Sequence, residues 1–489
     1  MGQRDMRDWL QATEEDGELK RIDEAHWDLE MSGITELIYR KGKRPVPALL
    51  FDNIPGYPKG YRTLFGFLSS PRRLARALNI PLSDDPLAVV KGWRDKMQGL
   101  SAMPPKFVDS SPVFENEVGG DDVDLEIFPS PRFHELDGGR YIGTGSTVIV
   151  ESPETKWTNL GTYRCMIVDK KTIALHILEG QHGRIIYDKY LEQGQSMPVA
   201  IAIGIDPTLW FASSGRNTPF GQSEYDYAGG IKGEPVEVFK GPYTGLTLPA
   251  HSEIIIEGTC EPGELADEGP FGEWHGYYAN LGLTPVPEPV MKVKAIYYRN
   301  DPILTCAGAS VPPSEMSSWL SISRAASIWD GLKRNNIQGI KGVWCHDEGG
   351  GFLFTVISIR QIHAGHSKRV GLIASQLTPT NGRYTVVVDE DIDPSNLSEV
   401  IWAVATRADP ERAIQILPNC GTTSADTTVS PEVKRKYEVA PKPLYCSRAV
   451  IDACQPFEWK HEWYPPARLS PELHGELMTK WERLLDGLL

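Results

Sequence analysis

Apolar and polar positions divide the chain into segments of different texture. Residues 5–16 place Met6, Trp9 and Leu10 at helical spacing and close on Gly17, which predicts a first helix. A strand at GELKRI, a helix around Ile34 to Tyr39 and a strand at ALLFDNI follow, an α/β pattern that runs into the polar, proline-rich stretch from Met103 to Pro129. From about residue 140 to 310 the texture becomes strands, YIGTGSTVIVES, YRCMIVD, TIALHILEG, PVAIAIGI, SEIIIEG and VMKVKAIYYRNDPILTC, mostly separated by Gly, Pro, Asp or Asn turns. After Pro313 the pattern mixes again, with GFLFTVISI and RYTVVVDE as strands and SEVIWAVATRA as a helix. The expected fold class is α+β: an N-terminal α/β domain over 1–125, a mostly β, barrel-like domain over 126–315 and a C-terminal α/β domain over 316–465. Residues 466–489 form a terminal helix that starts at Ser470-Pro471 and carries one stripe, Leu473, Leu477, Met478, Trp481, Leu484, Leu485 and Leu488. A stripe this apolar needs a cover, either its own domain or a second subunit.

Composition narrows the class of partner. The chain has 489 residues, with 65 acidic against 50 basic ones and a formal charge of -15, and no long Lys/Arg run offsets it, which argues against nucleic acid or an anionic membrane as partner. The start, MGQRDMRDWL, is charged, and no apolar run reaches the roughly 18 residues that a membrane span requires, so a soluble, cytoplasmic protein is expected. The seven cysteines are scattered and form no C-x-x-C, which fits free thiols in a reducing compartment.

Candidate chemistry begins at 267–276, DEGPFGEWHG. Gly269, Pro270 and Gly272 exclude a helix or interior strand, so Glu268 and Glu273 stand on a shaped turn able to aim both carboxylates at one point. Such a pair suits acid and base roles, and a glycoside hydrolase is one reading of it. Three other polar segments fall in the strand-rich region: KWTNLGTYR with Asn159 and Arg164, EGQHGR with Gln181 and His182, and ASSGRNTPFGQSEYDYAGGIKGEP with Ser213, Ser214 and Glu224. Asn159, His182 and Glu224 offer an amide oxygen, an imidazole and a carboxylate, a set suited to Mn²⁺ or Mg²⁺, although their spacing is not diagnostic.

Taken in order, these motifs, N-x-G-x-Y-R, Q-H, S-E-Y-D-Y-A-G-G-I-x-G-E-P, P-A-x-S-E-I-I-I-E-G and E-G-P-F-G-E-x-H-G-Y, closely resemble the UbiD family of decarboxylases. GELKRI, VISIRQIHAGHSKRV and DEDIDPSNLSEVIWAVATRADP extend the likeness over nearly the whole chain. The resemblance implies a flavin-reductase-like split barrel binding prenylated FMN (prFMN). It also implies non-oxidative, often reversible decarboxylation of an aromatic, heteroaromatic or α,β-unsaturated acid. It assigns Asn159, His182 and Glu224 to a divalent ion, usually Mn²⁺, and Ser213, Ser214 and Glu224 to K⁺. Thr144, Gln181 and the backbone of Leu160, Gly161 and Thr162 would line the cofactor. The catalytic trio would be Arg164, Glu268 and Glu273: Arg164 takes the substrate carboxylate, Glu268 stays ionised against it, and Glu273, beside Phe271 and Trp274, donates the proton. LGTYR is closer to the hydroxybenzoate branch than to the bulkier ferulate type, and TTSADTT near residue 425 lacks the basic residue that some members place near the phosphate. Leu178, Trp274, Met316 and Trp319 are expected around the substrate, where aromatic stacking would favour a flat acid. A flavin prenyltransferase would supply the cofactor, and a homodimer or larger homo-oligomer is expected. A non-catalytic flavin-binding subunit is the remaining alternative, against which the complete trio argues.

Overall fold

The computed structural model describes residues 4–215, 218–279, 282–377, 382–439 and 443–485. The first helix, Met6–Glu15, starts where Asp5 accepts hydrogen bonds from the backbone N–H groups of Arg7 and Asp8, and it buries Met6, Trp9 and Leu10. A four-stranded sheet then forms from Leu19–Asp23, Ala48–Asp52, Arg62–Phe65 and, from far along the chain, Ile303–Thr305.

The centre of the molecule is a curled, nine-stranded sheet, a split barrel. Its strands Thr147–Glu151, Met197–Ile203 and Ile254–Glu268 lie side by side and antiparallel. They read as near-continuous apolar runs because both faces are covered. Val148, Val150, Ile201, Ile203, Ile254 and Ile256 belong to one buried cluster, while the alternating Ile149, Ala200, Ala202 and Ile255 belong to another. A period-two strand with both faces covered places successive side chains in different cores, each aliphatic residue contributing about 1.5–3 kcal/mol of burial.

A five-stranded sheet with the helices Glu315–Arg334, His366–Leu377 and Leu397–Arg407 forms the C-terminal α/β part. The expected architecture is present, but two strands cross the boundaries drawn from sequence. Asn116–Gly119 pairs with the barrel strand Val286–Tyr298, and Ile303–Thr305 joins the N-terminal sheet beside Arg62–Phe65. In addition, YIGTGSTVIVES is not one strand but two, Arg140–Gly143 and Thr147–Glu151. The terminal helix is capped by Ser470 as expected, then breaks at Trp481 into Pro471–Lys480 and Glu482–Leu485. Leu473, Met478, Trp481 and Leu484 are exposed on it, so their own domain does not cover them; Leu488 lies outside the described residues.

Candidate active site

Glu268 ends the strand Ile254–Glu268, and the chain then turns sharply. Gly269 takes a φ of 81°, a left-handed conformation that glycine adopts at no steric cost. Further on, Gly276 has a φ of 85° and passes so close to Val311 that a Cβ would fall 2.5 Å from its Cα. Between them, Glu273 accepts from Gly276 N–H at 2.7 Å and donates its own N–H to the Tyr277 carbonyl at 3.1 Å, which closes the turn.

The turn brings both glutamates to Arg164, the first residue of the strand Arg164–Asp169. Nε and Nη2 of Arg164 each donate to one carboxylate oxygen of Glu268 at 2.7 Å, and Nη1 lies 3.6 Å from Glu273 Oε1. The guanidinium also stacks over Phe271 at 4.6 Å. Burial alone would push the Glu268 carboxyl up, but the hydrogen bonds and charge of Arg164 outweigh it and hold it below the usual carboxylate range. Arg164 is correspondingly raised: burial opposes its charge, and Glu268 more than offsets that. Glu273, expected beside Phe271 and Trp274, has its Oε1 3.6 Å from the guanidinium that Glu268 holds.

A cavity of about 810 Å³ is lined by Tyr163, the chain neighbour of Arg164, while Arg164, Glu268 and Glu273 themselves are not among its lining residues. Asn159, Leu160, Gly161, Thr162, Leu178, Gln181, His182, Ser213, Ser214 and Glu224 all line it, so motifs far apart in sequence meet at one wall. Glu224 opens the helix Glu224–Lys232 and His182 opens His182–Glu192. Asn159 Nδ2 stands 3.3 Å from both Glu224 oxygens, and Leu160 N–H donates to Glu224 at 2.7 Å. The Tyr163 hydroxyl donates to Asn159 Oδ1 at 3.2 Å and accepts from Gly183 N–H at 2.9 Å, linking Asn159 to the helix that His182 begins. The His182 ring packs edgewise between Trp157 and Phe220, and burial lowers its pKa, favouring the neutral imidazole that a metal ion requires. Burial pushes the Glu224 carboxyl up to about 7, and among the described residues no Lys or Arg lines this cavity. A buried carboxylate with an amide and a neutral imidazole, and no cationic side chain, is a donor set that fits a divalent cation. Among the described residues no three His, Cys, Asp or Glu gather as a metal-holding group, here or elsewhere, so the third donor at this wall is the amide of Asn159.

The remaining candidates are placed as follows. Ser213 Oγ lies 2.8 Å from Thr147 Oγ1, its carbonyl accepts from Thr162 N–H at 3.3 Å, and Ser214 Oγ donates to Phe211 O at 3.0 Å. Thr144 Oγ1 accepts from Ala307 N–H at 3.1 Å and is not among the residues that line the cavity. Trp274 packs on Phe352 at 4.6 Å and is not part of that wall. Met316 and Trp319 correct the expectation of a stacking surface. Trp319 is 5% exposed and packs on Trp210 and Phe211, and Met316 lies against the same core. Hydrophobic burial of the long helix claims the Trp319 side chain, while Met316 is half-buried at the edge of that core.

Two features were not anticipated from sequence. Thr422, Thr423 and Ser424 close the cavity from the C-terminal domain, and the neighbouring Ala425 carbonyl accepts from His275 Nε2 at 2.8 Å. The sequence marked this run, TTSADTT, only for lacking a basic residue near the phosphate, and carried no contact over to its hydroxyls. Behind Glu268 lie His176 and Glu288, buried and paired at 2.6 Å; their signal was a polar residue inside each of two apolar strands.

Comparison with known proteins defines the class. Models of the N-terminal, Rift-related and C-terminal domains of 3-octaprenyl-4-hydroxybenzoate carboxy-lyases match residues 10–93, 106–312 and 318–453, so the class is that of the carboxy-lyases. The chain is 32% identical over 424 residues to a pyrrole-2-carboxylic acid decarboxylase of Pseudomonas aeruginosa, covering 83% of each chain. It is 30% identical over 506 residues to a phenolic acid decarboxylase of Bacillus subtilis, covering 100% of both. Among solved structures, an evolved dimeric form of the UbiD-class enzyme HmfF from Pelotomaculum thermopropionicum, in complex with prFMN, superposes with a TM-score of 0.80 at 26% identity, over 96% of this chain and 98% of that one. The chain belongs to the UbiD family of decarboxylases. Membership displaces the glycoside hydrolase reading of Glu268 and Glu273. No described helix is long and apolar enough to cross a membrane.

Proposed function

We propose that this protein catalyses the non-oxidative, reversible decarboxylation of an aromatic or heteroaromatic acid, with an α,β-unsaturated acid as the wider chemical class, using prFMN. The observation that carries the reading is the clasp of Arg164 by Glu268 with Glu273 on its remaining nitrogen, set beside a cation-seeking cavity. The names of two relatives, a pyrrole-2-carboxylate and a phenolic acid decarboxylase, and the prFMN bound to HmfF support the substrate class and cofactor.

When bound, prFMN supplies an electron sink for the charge left on carbon as CO₂ departs. The chain's residues do the rest. Glu268 engages Nε and Nη2, which orients the guanidinium and leaves Nη1 to receive the substrate carboxylate. Glu273, on the Nη1 side, yields that contact to the substrate carboxylate, takes up a proton from solvent and delivers it to the carbon after CO₂ is lost. Phe271 covers one face of the guanidinium and keeps water from it. Asn159, His182 and Glu224 would hold Mn²⁺ or Mg²⁺, and Ser213, Ser214 and Glu224 a K⁺. These ions would supply the positive charge that the cavity wall lacks and that a flavin phosphate needs. Thr144, Gln181 and the Leu160–Gly161–Thr162 backbone complete the proposed cofactor contacts. The exposed apolar residues of the terminal helices support a homo-oligomer.

The test is the intact mass and absorbance of flavin bound to protein coexpressed with a flavin prenyltransferase and supplied with Mn²⁺ and K⁺, followed by a screen of acids for CO₂ release. The expected result is a flavin heavier than FMN by one prenyl addition and release of CO₂ from aromatic acids. Protein without flavin under those conditions would refute the reading.

A further inference from the structure

His176 and Glu288 have no place in the mechanism above, yet both are buried directly behind it. His176 ends the strand Thr172–His176 with its Cα opposite that of Arg164 on the adjacent antiparallel strand. Directly opposed residues project from the same face of a sheet, so the imidazole lies on the side of the guanidinium. Two residues further along, Leu178 lines the cavity. Nδ1 of His176 is 2.6 Å from Glu288 Oε1 and 3.8 Å from Glu268 Oε2. A carboxylate only accepts, so Nδ1 carries a ring hydrogen and gives it to Glu288, which leaves Nε2 turned away from that pair. Nε2 has no hydrogen-bond partner among the described residues, and it is not one of the polar atoms sealed inside the protein without one. The site therefore contains a histidine whose ring is held by its own carboxylate and whose second nitrogen is uncommitted, beside the arginine that takes the substrate.

We propose that His176 is a specificity-determining residue, its Nε2 accepting a hydrogen bond from a hydroxyl or ring N–H on the aromatic acid held at Arg164, with Glu288 as the positioning residue that fixes the ring. The substrate class is thereby narrowed to aromatic acids that carry a hydrogen-bond donor on or in the ring. This rests on the decarboxylase reading above. Selectivity follows from desolvation: a donor-less isostere would cover Nε2 without giving it a partner, and a site built for a hydrogen bond rejects such an analogue far more strongly than an apolar pocket would.

The experiment measures binding separately from turnover. FMN-loaded protein is titrated with pyrrole-2-carboxylate against furan-2-carboxylate, and with 4-hydroxybenzoate against benzoate. In the wild type at least one donor-bearing acid should bind roughly tenfold or more tightly than its partner. In His176→Phe that ratio should fall to about one, and His176→Gln, whose amide oxygen accepts, should restore part of it. Glu288→Gln keeps an acceptor for Nδ1 and should hold the ratio within about threefold, whereas Glu288→Leu should lower it. A merely structural Glu288 would shift Tm and leave the ratio alone. Ratios near one for both pairs in the wild type, no binding of any of the four acids, or a ratio that His176→Phe leaves unchanged would each overturn the assignment. CO₂ release is then scored separately on prFMN-loaded wild type. Failure there with acids that bind counts against the decarboxylase reading, whatever the Kd ratios, so the two failures are distinguishable.

Discussion

Replacing Glu268 by Gln should destabilise the barrel by about 2–4 kcal/mol near neutral pH. Its carboxylate is 1% exposed and takes two hydrogen bonds of 2.7 Å from Arg164. Removing one partner of a buried ion pair costs about 3–5 kcal/mol, because the other charge stays buried without compensation. Two features here reduce that figure: the glutamine oxygen retains one of the hydrogen bonds, and the carboxyl of Glu273 stands 3.6 Å from Nη1. The pH dependence has a definite sign. The folded-state pKa of Glu268 is depressed, so the pair contributes fully above the unfolded carboxylate value of about 4.3 and is lost as pH falls through the folded value. The gap between wild type and Glu268→Gln is therefore widest near neutrality and closes in acid. Thermal unfolding of the cofactor-free proteins provides the assay. At about 2–4 °C per kcal/mol for a domain of this size, Tm should drop by about 5–15 °C at neutral pH, with a smaller gap below about pH 4. A drop under about 2 °C at neutral pH, or one that does not shrink in acid, would refute the reasoning.

Four further outcomes are expected. Glu273→Gln should abolish CO₂ release while flavin remains bound, read as turnover against flavin absorbance; retained turnover removes Glu273 as the proton donor. His182→Ala should lose bound Mn²⁺ and flavin before it loses fold, and full occupancy of both by elemental analysis and absorbance would count against the metal role. Trp319→Ala, in the core against Trp210 and Phe211, should cost about 3–5 kcal/mol of stability, seen as a lowered Tm; an unchanged Tm would return Trp319 to the candidates for substrate contact. Trp481→Glu with Leu484→Glu should shift the protein to a smaller species in light scattering, and an unchanged mass would place the oligomer interface elsewhere.

Residues that act within one short segment were the most legible in the sequence. Glu268 and Glu273 share a turn whose glycines and proline announce its shape, and Asn159, Arg164, Gln181 and His182 each stand in a recognisable motif. Pairing over long distances was not legible: Ile303–Thr305 reads as the end of the barrel strand VMKVKAIYYRNDPILTC, yet it is a separate strand that pairs with Arg62–Phe65 in the N-terminal sheet. Periodicity states that a strand forms, not which edge receives it. Trp319 and Met316 misled because an aromatic or thioether side chain looks the same in sequence whether it lines a pocket or fills a core. The link between His176 and Glu288 was hidden because the two are 112 residues apart.

The turn that carries Glu273 is fastened to the C-terminal domain at two places: His275 holds the Ala425 carbonyl, and Trp274 lies against Gly350 so closely that a Cβ there would come within 2.7 Å of the indole. The position of an acid in one domain is thus written partly by a loop in another. For protein engineering this makes the segments around 350 and 425 adjustable screws: substitutions there would re-aim Glu273 and alter turnover in variants whose substrate contacts are untouched.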